Sequence, residues 1–196
     1  MESTVGQSCP ICGLEDGLKM LAHTSEIPYF GEHTQITMSC HGCGWRVTDF
    51  IPAEGKKPGS WKLEVNSAGH VSARVVRSSS CTVRIVELGL EVTPGSSSTG
   101  YISNVEGVLD RFSNAIGTIK RQSEREGDDD TTIKCDELFS QIDLVKNGEM
   151  TVTLELLDPV GHSQILHEDA VSSEISEAEA KNLDPGPVYP VFDVSE

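Results

Sequence analysis

The chain has 196 residues and a formal net charge of −16, with 31 acidic residues against 15 lysines and arginines. This length suits one domain of ordinary size with a small appendage. The acidic balance disfavours nucleic acid as a partner, because affinity for phosphates comes mainly from lysine and arginine. It is consistent with a basic patch on a partner protein and equally with a demand for solubility. The sequence has neither an apolar run of about 18 residues nor a basic N-terminus followed by an apolar run, so we expect a cytoplasmic protein without a membrane span or signal peptide.

Two C-x2-C pairs dominate the first quarter of the chain and supply four cysteines: Cys9, Cys12, Cys40 and Cys43. Zinc prefers four thiolates in a tetrahedron, and each pair places two sulfurs on one side of the metal. Gly13 and Gly44 follow the second cysteine of each pair and allow the backbone to curl around the sulfurs. One pair alone would also fit a redox or disulfide motif, but two pairs favour a structural zinc site. Cys81 and Cys135 stand alone among apolar neighbours and are interpreted as small buried side chains.

Residues 1–51 are predicted to form a four-cysteine zinc ribbon. Residues 14–32 are its spacer arm, and their apolar loop contains Ile27, Pro28, Tyr29 and Phe30. This loop could pack on the ribbon or present an exposed anchor to a partner. Alternation of apolar and polar residues predicts strands over 34–40 and 45–51. Residues 52–60, with proline, glycine and lysine, are interpreted as a hinge.

Residues 61–168 are predicted to form a β-domain. Period-two alternation, separated by turn residues, indicates four strands at the start of this domain: Trp61–Val65, His70–Arg77, Cys81–Val86 and Leu88–Val92. Two further strands are predicted over 150–157 and 162–166, with a turn at 158–161 between them. Short strands at this spacing are typical of an antiparallel sandwich or barrel.

A helical hairpin is predicted as an insertion in this domain, at about residues 103–147. Ser103 and Glu106 fit a capping box at the start of the first helix. The apolar face of that helix consists of Val105, Val108, Leu109, Phe112, Ile116 and Ile119. After a solvated break at 128–132, the second helix has an apolar side formed by Ile133, Leu138, Ile142 and Val145. Residues 169–196 are predicted to be an acidic tail, either a loose helix or disordered.

Several short motifs occur in a fixed order along the chain: Cys-Pro-Ile-Cys-Gly at 9–13, the 27–30 loop, and blocks at 38–44, 76–78, 87–91, 104–109 and 158–163. In these motifs and their order the chain resembles the ZPR zinc-finger family, whose members bind translation elongation factor 1-alpha. With one copy of a module that is doubled in eukaryotic members, the chain resembles a single-module, archaeal-like member. It departs from the family at His162, where the motif usually has asparagine, and in its acidic tail.

The resemblance implies a zinc ribbon followed by an antiparallel double-stranded β-helix, a sandwich or barrel, with an inserted α-helical hairpin. It also implies that the four cysteines bind zinc, that the protein binds elongation factor 1-alpha, a GTPase, and that it assists the folding of this partner. Under the same resemblance, the 27–30 loop is a candidate contact surface.

Two alternative functions were weighed. One is a nucleic-acid-binding zinc ribbon, which the acidic charge disfavours. The other is a metal-dependent β-helix enzyme, because His167 and Asp169 form an H-x-D pair that suits a two-histidine, one-carboxylate iron site. That topology requires a second histidine after His167, and the sequence has none there. Four cysteine ligands also leave zinc no open position for water. We therefore expect a binding protein and not an enzyme.

Overall fold

The computed structural model describes residues 2–28, 31–52, 57–184 and 186. Within them the chain forms twelve strands and four helices. The strands are β1 (Glu2–Val5), β2 (Leu18–Ile27), β3 (Gly31–Cys40), β4 (Arg46–Pro52), β5 (Gly59–Val65), β6 (Arg74–Arg77), β7 (Thr82–Ile85), β8 (Leu90–Val92), β9 (Tyr101–Asn104), β10 (Val152–Asp158), β11 (Gln164–Leu166) and β12 (Val171–Glu174). The helices are α1 (Ala68–Val71), α2 (Val105–Glu126), α3 (Asp129–Lys146) and α4 (Glu177–Asn182).

The cysteine-containing region is a four-stranded antiparallel sheet in the order β1-β2-β3-β4. The strands predicted over 34–40 and 45–51 correspond to β3 and β4. The spacer arm is more regular than expected, because most of it is the ten-residue strand β2, which pairs with β3 along its whole length. A small core beneath the sheet contains Val5, Leu18, Met38 and Val47.

The rest of the chain is mainly β and contains two further sheets. Five strands pair in the order β12-β5-β10-β7-β8, and three pair in the order β11-β6-β9. Alternate residues of the central strand β10 are buried, namely Val152, Leu154 and Leu156. They join one continuous core with β5, β6, β7, β11 and the two long helices. Burial of one face of each element holds these layers together.

Several strand boundaries in this region differ from the sequence prediction, and at two of them a helix or a turn replaces the expected strand. His70 was expected in a strand but lies in α1, since Ser67 caps that short helix by accepting a hydrogen bond from the His70 N–H. Leu88 was expected to begin a strand, but residues 86–89 form a turn and β8 begins at Leu90. Alternation is a weak signal in such short segments, because one helical turn can bury the same residues.

The long helices α2 and α3 lie between β9 and β10 in chain order and pack against each other. The N-cap of α2 is Asn104, the last residue of β9, whose side chain accepts from the Gly107 N–H; it is not Ser103, as predicted. Asp128 caps α3 in the same way, so the predicted break at 128–132 shrinks to the link between Gly127 and Asp128.

The outer half of this helix pair is less buried than its apolar periodicity indicates. Ile119 and Ile133 are exposed, although both were assigned to apolar faces. The last buried apolar residue of α2 is Ile116, so the periodic pattern of this helix continues past the core.

The ribbon sheet and the β-domain meet through specific contacts. Asp49 of β4 accepts hydrogen bonds from the backbone N–H and the hydroxyl of Ser79, at 2.9 and 2.5 Å. The Gly100 N–H donates to the Thr48 carbonyl at 2.7 Å. Gly100 has no room for a side chain, since an added Cβ would lie 2.7 Å from Asp49 Oδ1 and 3.1 Å from the Arg77 carbonyl. Close backbone approach therefore requires glycine at this junction.

The predicted hinge at 52–60 is partly strand. Pro52 ends β4, whereas Gly59 and Ser60 begin β5. Residues 53–56 lie outside the described part of the chain.

The predicted acidic tail begins as an ordered edge strand. β12 pairs with β5 from Val171 opposite Lys62 to Glu174 opposite Gly59, so the expectation of a loose helix or disorder was wrong for residues 171–174. α4 follows with a capping box between Ser176 and Glu179. Residues 185 and 187–196 are outside the described chain. None of the described helices is both long and apolar enough to cross a lipid bilayer.

Candidate functional site

The four predicted cysteines come together at one end of the ribbon sheet. Their sulfurs all lie within 4.8 Å of one another. Across the two pairs, Cys9 Sγ is 3.7 Å from Cys43 Sγ, and Cys12 Sγ is 3.7 Å from Cys40 Sγ. A tetrahedron with Zn–S bonds of about 2.3 Å has sulfur-to-sulfur edges of about 3.8 Å. The four cysteines could therefore hold a metal ion, and these two edges match the size of a zinc-thiolate shell.

Both cysteine turns have the same local structure. In the first, the Gly13 N–H donates to the Cys9 carbonyl and the Ile11 N–H approaches Cys9 Sγ at 3.5 Å. In the second, the Gly44 N–H donates to the Cys40 carbonyl, and the Gly42 N–H approaches Cys40 Sγ at 3.4 Å. Gly13 and Gly44 have φ values of 69° and 74°, which residues other than glycine rarely adopt. Glycine at these two positions therefore allows the backbone to curl around the sulfurs, as the sequence predicted.

The thiols of this cluster differ in acidity. Burial raises the pKa of Cys9, but the backbone N–H groups of Cys12 and Ile11, together with the thiols of Cys40 and Cys12, outweigh it and lower this pKa to about 6. For Cys43, the Trp45 N–H lowers the pKa, whereas burial and the other three cysteines raise it to about 12. Neighbouring thiolates repel one another, so the four sulfurs do not all ionise easily by themselves. A bound divalent cation would stabilise all of them as thiolates.

The other two cysteines lie apart from this cluster. Cys81 and Cys135 are buried in the core of the β-domain, as predicted. Burial and the nearby Asp158 charge raise the pKa of the Cys81 thiol to about 12, so it stays protonated.

The loop proposed as a partner surface is only partly accessible. Ile27 ends β2 and is buried in a small cluster with Val76, Phe50 and Leu166. Pro28 is exposed. Tyr29 and Phe30 lie outside the described residues.

A buried carboxylate connects two of the sequence blocks quoted above. Asp158 accepts five hydrogen bonds, from the hydroxyls of Ser78, Ser80 and Ser163 and from the backbone N–H groups of Val160 and Ser163. Burial raises the pKa of Asp158, but these donors outweigh it and hold the pKa below its usual value. The Asp158–Ser163 turn and the serine turn at 78–80 are therefore one hydrogen-bonded unit. The sequence alone predicts two separate turns.

A second group of potential metal ligands, the histidine cluster, consists of His70, His167 and Asp169. The iron-site alternative requires a histidine after His167, but the structure instead brings His70 of α1, earlier in the chain, next to His167. His70 Nε2 lies 3.0 Å from Asp169 Oδ2, and the two imidazole centroids are 4.6 Å apart. No local signal marks His70, since its proximity depends on the tertiary fold.

Hydrogen bonds in the histidine cluster oppose metal binding. The Asn66 N–H approaches His70 Nδ1 at 3.3 Å, so that nitrogen is the acceptor and Nε2 carries the proton donated to Asp169. The Asp169 N–H approaches His167 Nδ1 at 3.2 Å in the same manner. A proton on His70 Nε2 and a backbone N–H at His167 Nδ1 thus occupy the two nitrogens that face Asp169, where a metal would bind. The histidine cluster is best described as a hydrogen-bonded link between α1 and the segment that follows β11.

Comparison with known proteins gives consistent matches over most of the chain. The profile of the ZPR1 jelly-roll domain matches residues 69–182. A ZPR1-like protein of Methanocaldococcus jannaschii is 39% identical over 186 residues, covering 95% of this chain and 92% of the relative. One from Pyrococcus horikoshii is 36% identical over 179 residues, covering 91% of this chain and 80% of the relative.

A eukaryotic relative is longer than this chain. The zinc finger chaperone zpr1 of Schizosaccharomyces pombe is 25% identical over 170 residues, which cover 83% of this chain but 35% of the relative. This agrees with one module here and additional sequence in the eukaryotic protein. The domain match, the two archaeal relatives and the four-cysteine cluster show that the chain belongs to the ZPR1 family, as a single-module, archaeal-like member.

Proposed function

We propose that the protein is a zinc-dependent protein-interaction module that binds elongation factor 1-alpha and assists its folding. In this proposal Cys9, Cys12, Cys40 and Cys43 bind one Zn²⁺, and the ribbon precedes a double-stranded β-helix with the α2–α3 hairpin inserted. The observation that carries it is the four-sulfur cluster, with cross-pair distances of 3.7 Å that suit a structural zinc ion. Because translation takes place in the cytoplasm, the proposal also assigns the protein to that compartment.

Exposed apolar side chains supply a candidate contact surface beside the metal. Ile11 is 58% exposed and Leu14 is 38% exposed, and both lie in the first cysteine turn. Leu14 covers Gly17 and Gly42, where an added Cβ would lie 2.9 and 2.6 Å from its side chain. A bound zinc ion would fix this turn and with it the position of both side chains. Apolar groups held in place lose little entropy on binding, which favours their use as anchors.

The helical hairpin offers a second apolar position, because Ile133 is 57% exposed. Around these apolar positions the chain is acidic, with its net charge of −16. Such a charge would speed association with a partner that carries a basic patch.

A role without catalysis is part of the proposal. Four thiolates complete the tetrahedral shell of zinc and leave no position for a substrate or an attacking water. In the histidine cluster, the nitrogens that face Asp169 are occupied by a proton on His70 Nε2 and by a backbone N–H at His167 Nδ1. Neither group of residues therefore favours an enzyme.

The test is binding of purified archaeal elongation factor 1-alpha to zinc-loaded protein, measured by calorimetry for three single variants. Ile11→Asp and Ile133→Asp place a charge on the proposed contact positions, and Val86→Asp is the matched control, since Val86 is 53% exposed but lies in the turn after β7. We expect each of the first two to weaken binding at least tenfold and the control to bind normally. Equal affinities for all three would show that the surface is wrongly assigned.

Folding assistance needs a separate readout. The elongation factor would be diluted from denaturant with and without the zinc-loaded protein, and the recovered nucleotide binding would be compared. We expect a higher yield with the protein present. If the unaltered protein neither binds the factor nor raises this yield, the proposal is wrong.

A further inference from the structure

A cavity of about 460 Å³ lies in the β-domain between the β8–β9 segment and helix α2. We call it the arginine pocket; its defining residues are Arg77, Ser98, Tyr101, Arg111, Phe112 and Asn114. Pockets of this size accommodate small organic ligands. The arginine pocket lies in the β-domain, and none of its lining residues belongs to the four-cysteine cluster.

Two guanidinium groups lie near the same aromatic ring in the arginine pocket. The Arg111 guanidinium carbon lies 4.0 Å from the centroid of Tyr101, and that of Arg77 lies 5.8 Å from it. Burial raises the pKa of Tyr101, while both positive charges act to lower it. Two cations therefore lie close to the same ring, and this arrangement concentrates positive potential in the pocket.

Arg77 is a fixed, buried charge. It is 5% exposed and donates to the Cys81 and Thr99 carbonyls and to the Ser98 hydroxyl, all of them neutral acceptors. These bonds use four of the five N–H groups of a guanidinium and hold it rigidly. A buried cation is costly unless a negative charge compensates it.

Neither pocket arginine has a carboxylate partner within 4.0 Å among residues 2–28, 31–52, 57–184 and 186. Other basic side chains in this acidic chain do have one: Lys62, Arg84, Lys120 and Lys146 each lie within that distance of an aspartate or glutamate. Arg111 is exposed at the rim and has all its N–H donors available for a ligand. The pocket thus holds two positive charges that the described protein groups leave without a direct counter-charge.

We propose that the arginine pocket binds the phosphate group of a small phosphomonoester. A phosphomonoester carries nearly two negative charges at neutral pH, which matches the two guanidinium groups. Arg111 would contact two phosphate oxygens in a bidentate manner, and the amide of Asn114 lies on the same wall to donate to the third. Phe112 and Val108 line the apolar floor, against which the organic part of the ligand packs.

The first measurement is calorimetric titration of zinc-loaded protein with phenyl phosphate at constant ionic strength. We expect saturable one-to-one binding with a Kd below about 1 mM. Benzoate, which has an aromatic ring but one negative charge, should bind at least tenfold more weakly. Binding of phenyl phosphate should also weaken as the pH falls from 7.5 to 5, because its second pKa is about 6.

The residues are tested with Arg111→Gln and the matched control Arg121→Gln. Both arginines are exposed on α2, but Arg121 is outside the pocket. Arg111→Gln should raise the Kd at least tenfold and Arg121→Gln should leave it unchanged, with melting temperature and zinc content confirming that both variants are folded. The proposal is overturned by any of three results: no saturation up to about 10 mM ligand, equal affinity for benzoate, or equal affinities of the two variants.

Discussion

Replacing Asp158 with asparagine tests how far the buried hydrogen-bond unit stabilises the β-domain. Its carboxylate is 1% exposed. One oxygen accepts from the Ser80 hydroxyl and the Val160 N–H, and the other accepts from the Ser78 hydroxyl and from both the N–H and the hydroxyl of Ser163. Whichever of the two oxygens the asparagine NH₂ replaces, it would therefore face a backbone N–H, and two donors would meet without an acceptor. Hydroxyls can rotate to become acceptors, but a backbone N–H cannot.

The expected loss in the free energy of unfolding is about 3 kcal/mol. An unsatisfied buried N–H costs about 1–3 kcal/mol, and loss of the negative charge weakens the remaining bonds further. For a chain of 196 residues this corresponds to a fall in melting temperature of about 6–12 °C. Calorimetry of zinc-loaded protein would measure it. Asp110→Asn is the control, because Asp110 forms an exposed ion pair with Lys146 and should cost less than about 1 kcal/mol.

Acid titration gives an independent check on the same residue. The pKa of Asp158 is lower in the folded protein than in the unfolded chain. Its contribution to stability is therefore fully present above the unfolded pKa of about 4 and is lost as the pH falls through the lower, folded pKa. Asp158→Asn should lack this acid-dependent loss. A change in stability below about 1 kcal/mol, or an unchanged acid dependence, would refute the role given to Asp158.

Two further predictions concern the zinc site and the junction. Cys40→Ser should abolish zinc binding and unfold the ribbon, while the β-domain keeps its own cooperative thermal unfolding. The control Cys135→Ala should retain zinc. If Cys40→Ser unfolds both regions together, the ribbon and the β-domain form one unit. Gly100→Ala should lower the free energy of unfolding by about 1–3 kcal/mol and speed amide hydrogen exchange at position 100, because the added Cβ would lie 2.7 Å from Asp49 Oδ1. Gly95→Ala, where the Cβ meets nothing within 4 Å, should not; equal exchange in both variants would contradict the junction described above.

Local sequence patterns were sufficient for the features that depend on residues close together in the chain. The two C-x2-C turns predicted a four-cysteine cluster because each turn fixes two sulfurs by its own backbone geometry. Apolar periodicity likewise located α2 and α3. The N-cap of α2 was predicted one residue too early, since Ser103 and Asn104 are both good N-caps and it is the Asn104 side chain that accepts from the Gly107 N–H.

Features that depend on distant residues could not be predicted in the same way. His70 and Asp169 are separated by 99 positions, and Asp49 and Ser79 by 30. Nothing in the neighbouring sequence shows that either pair meets. The acidic composition after Glu168 concealed β12, because its stability comes from pairing with β5 and not from its own residues.

Binding of elongation factor 1-alpha to zinc-loaded and metal-stripped protein tests the central claim most directly. Both samples would be titrated against the same purified archaeal factor, with zinc content measured alongside and zinc restored to the stripped sample as a control. The account predicts one zinc per chain, tight binding only when zinc is present, and recovery of binding when zinc is restored. Equal affinity of the loaded and stripped samples, or no affinity of either, would contradict it.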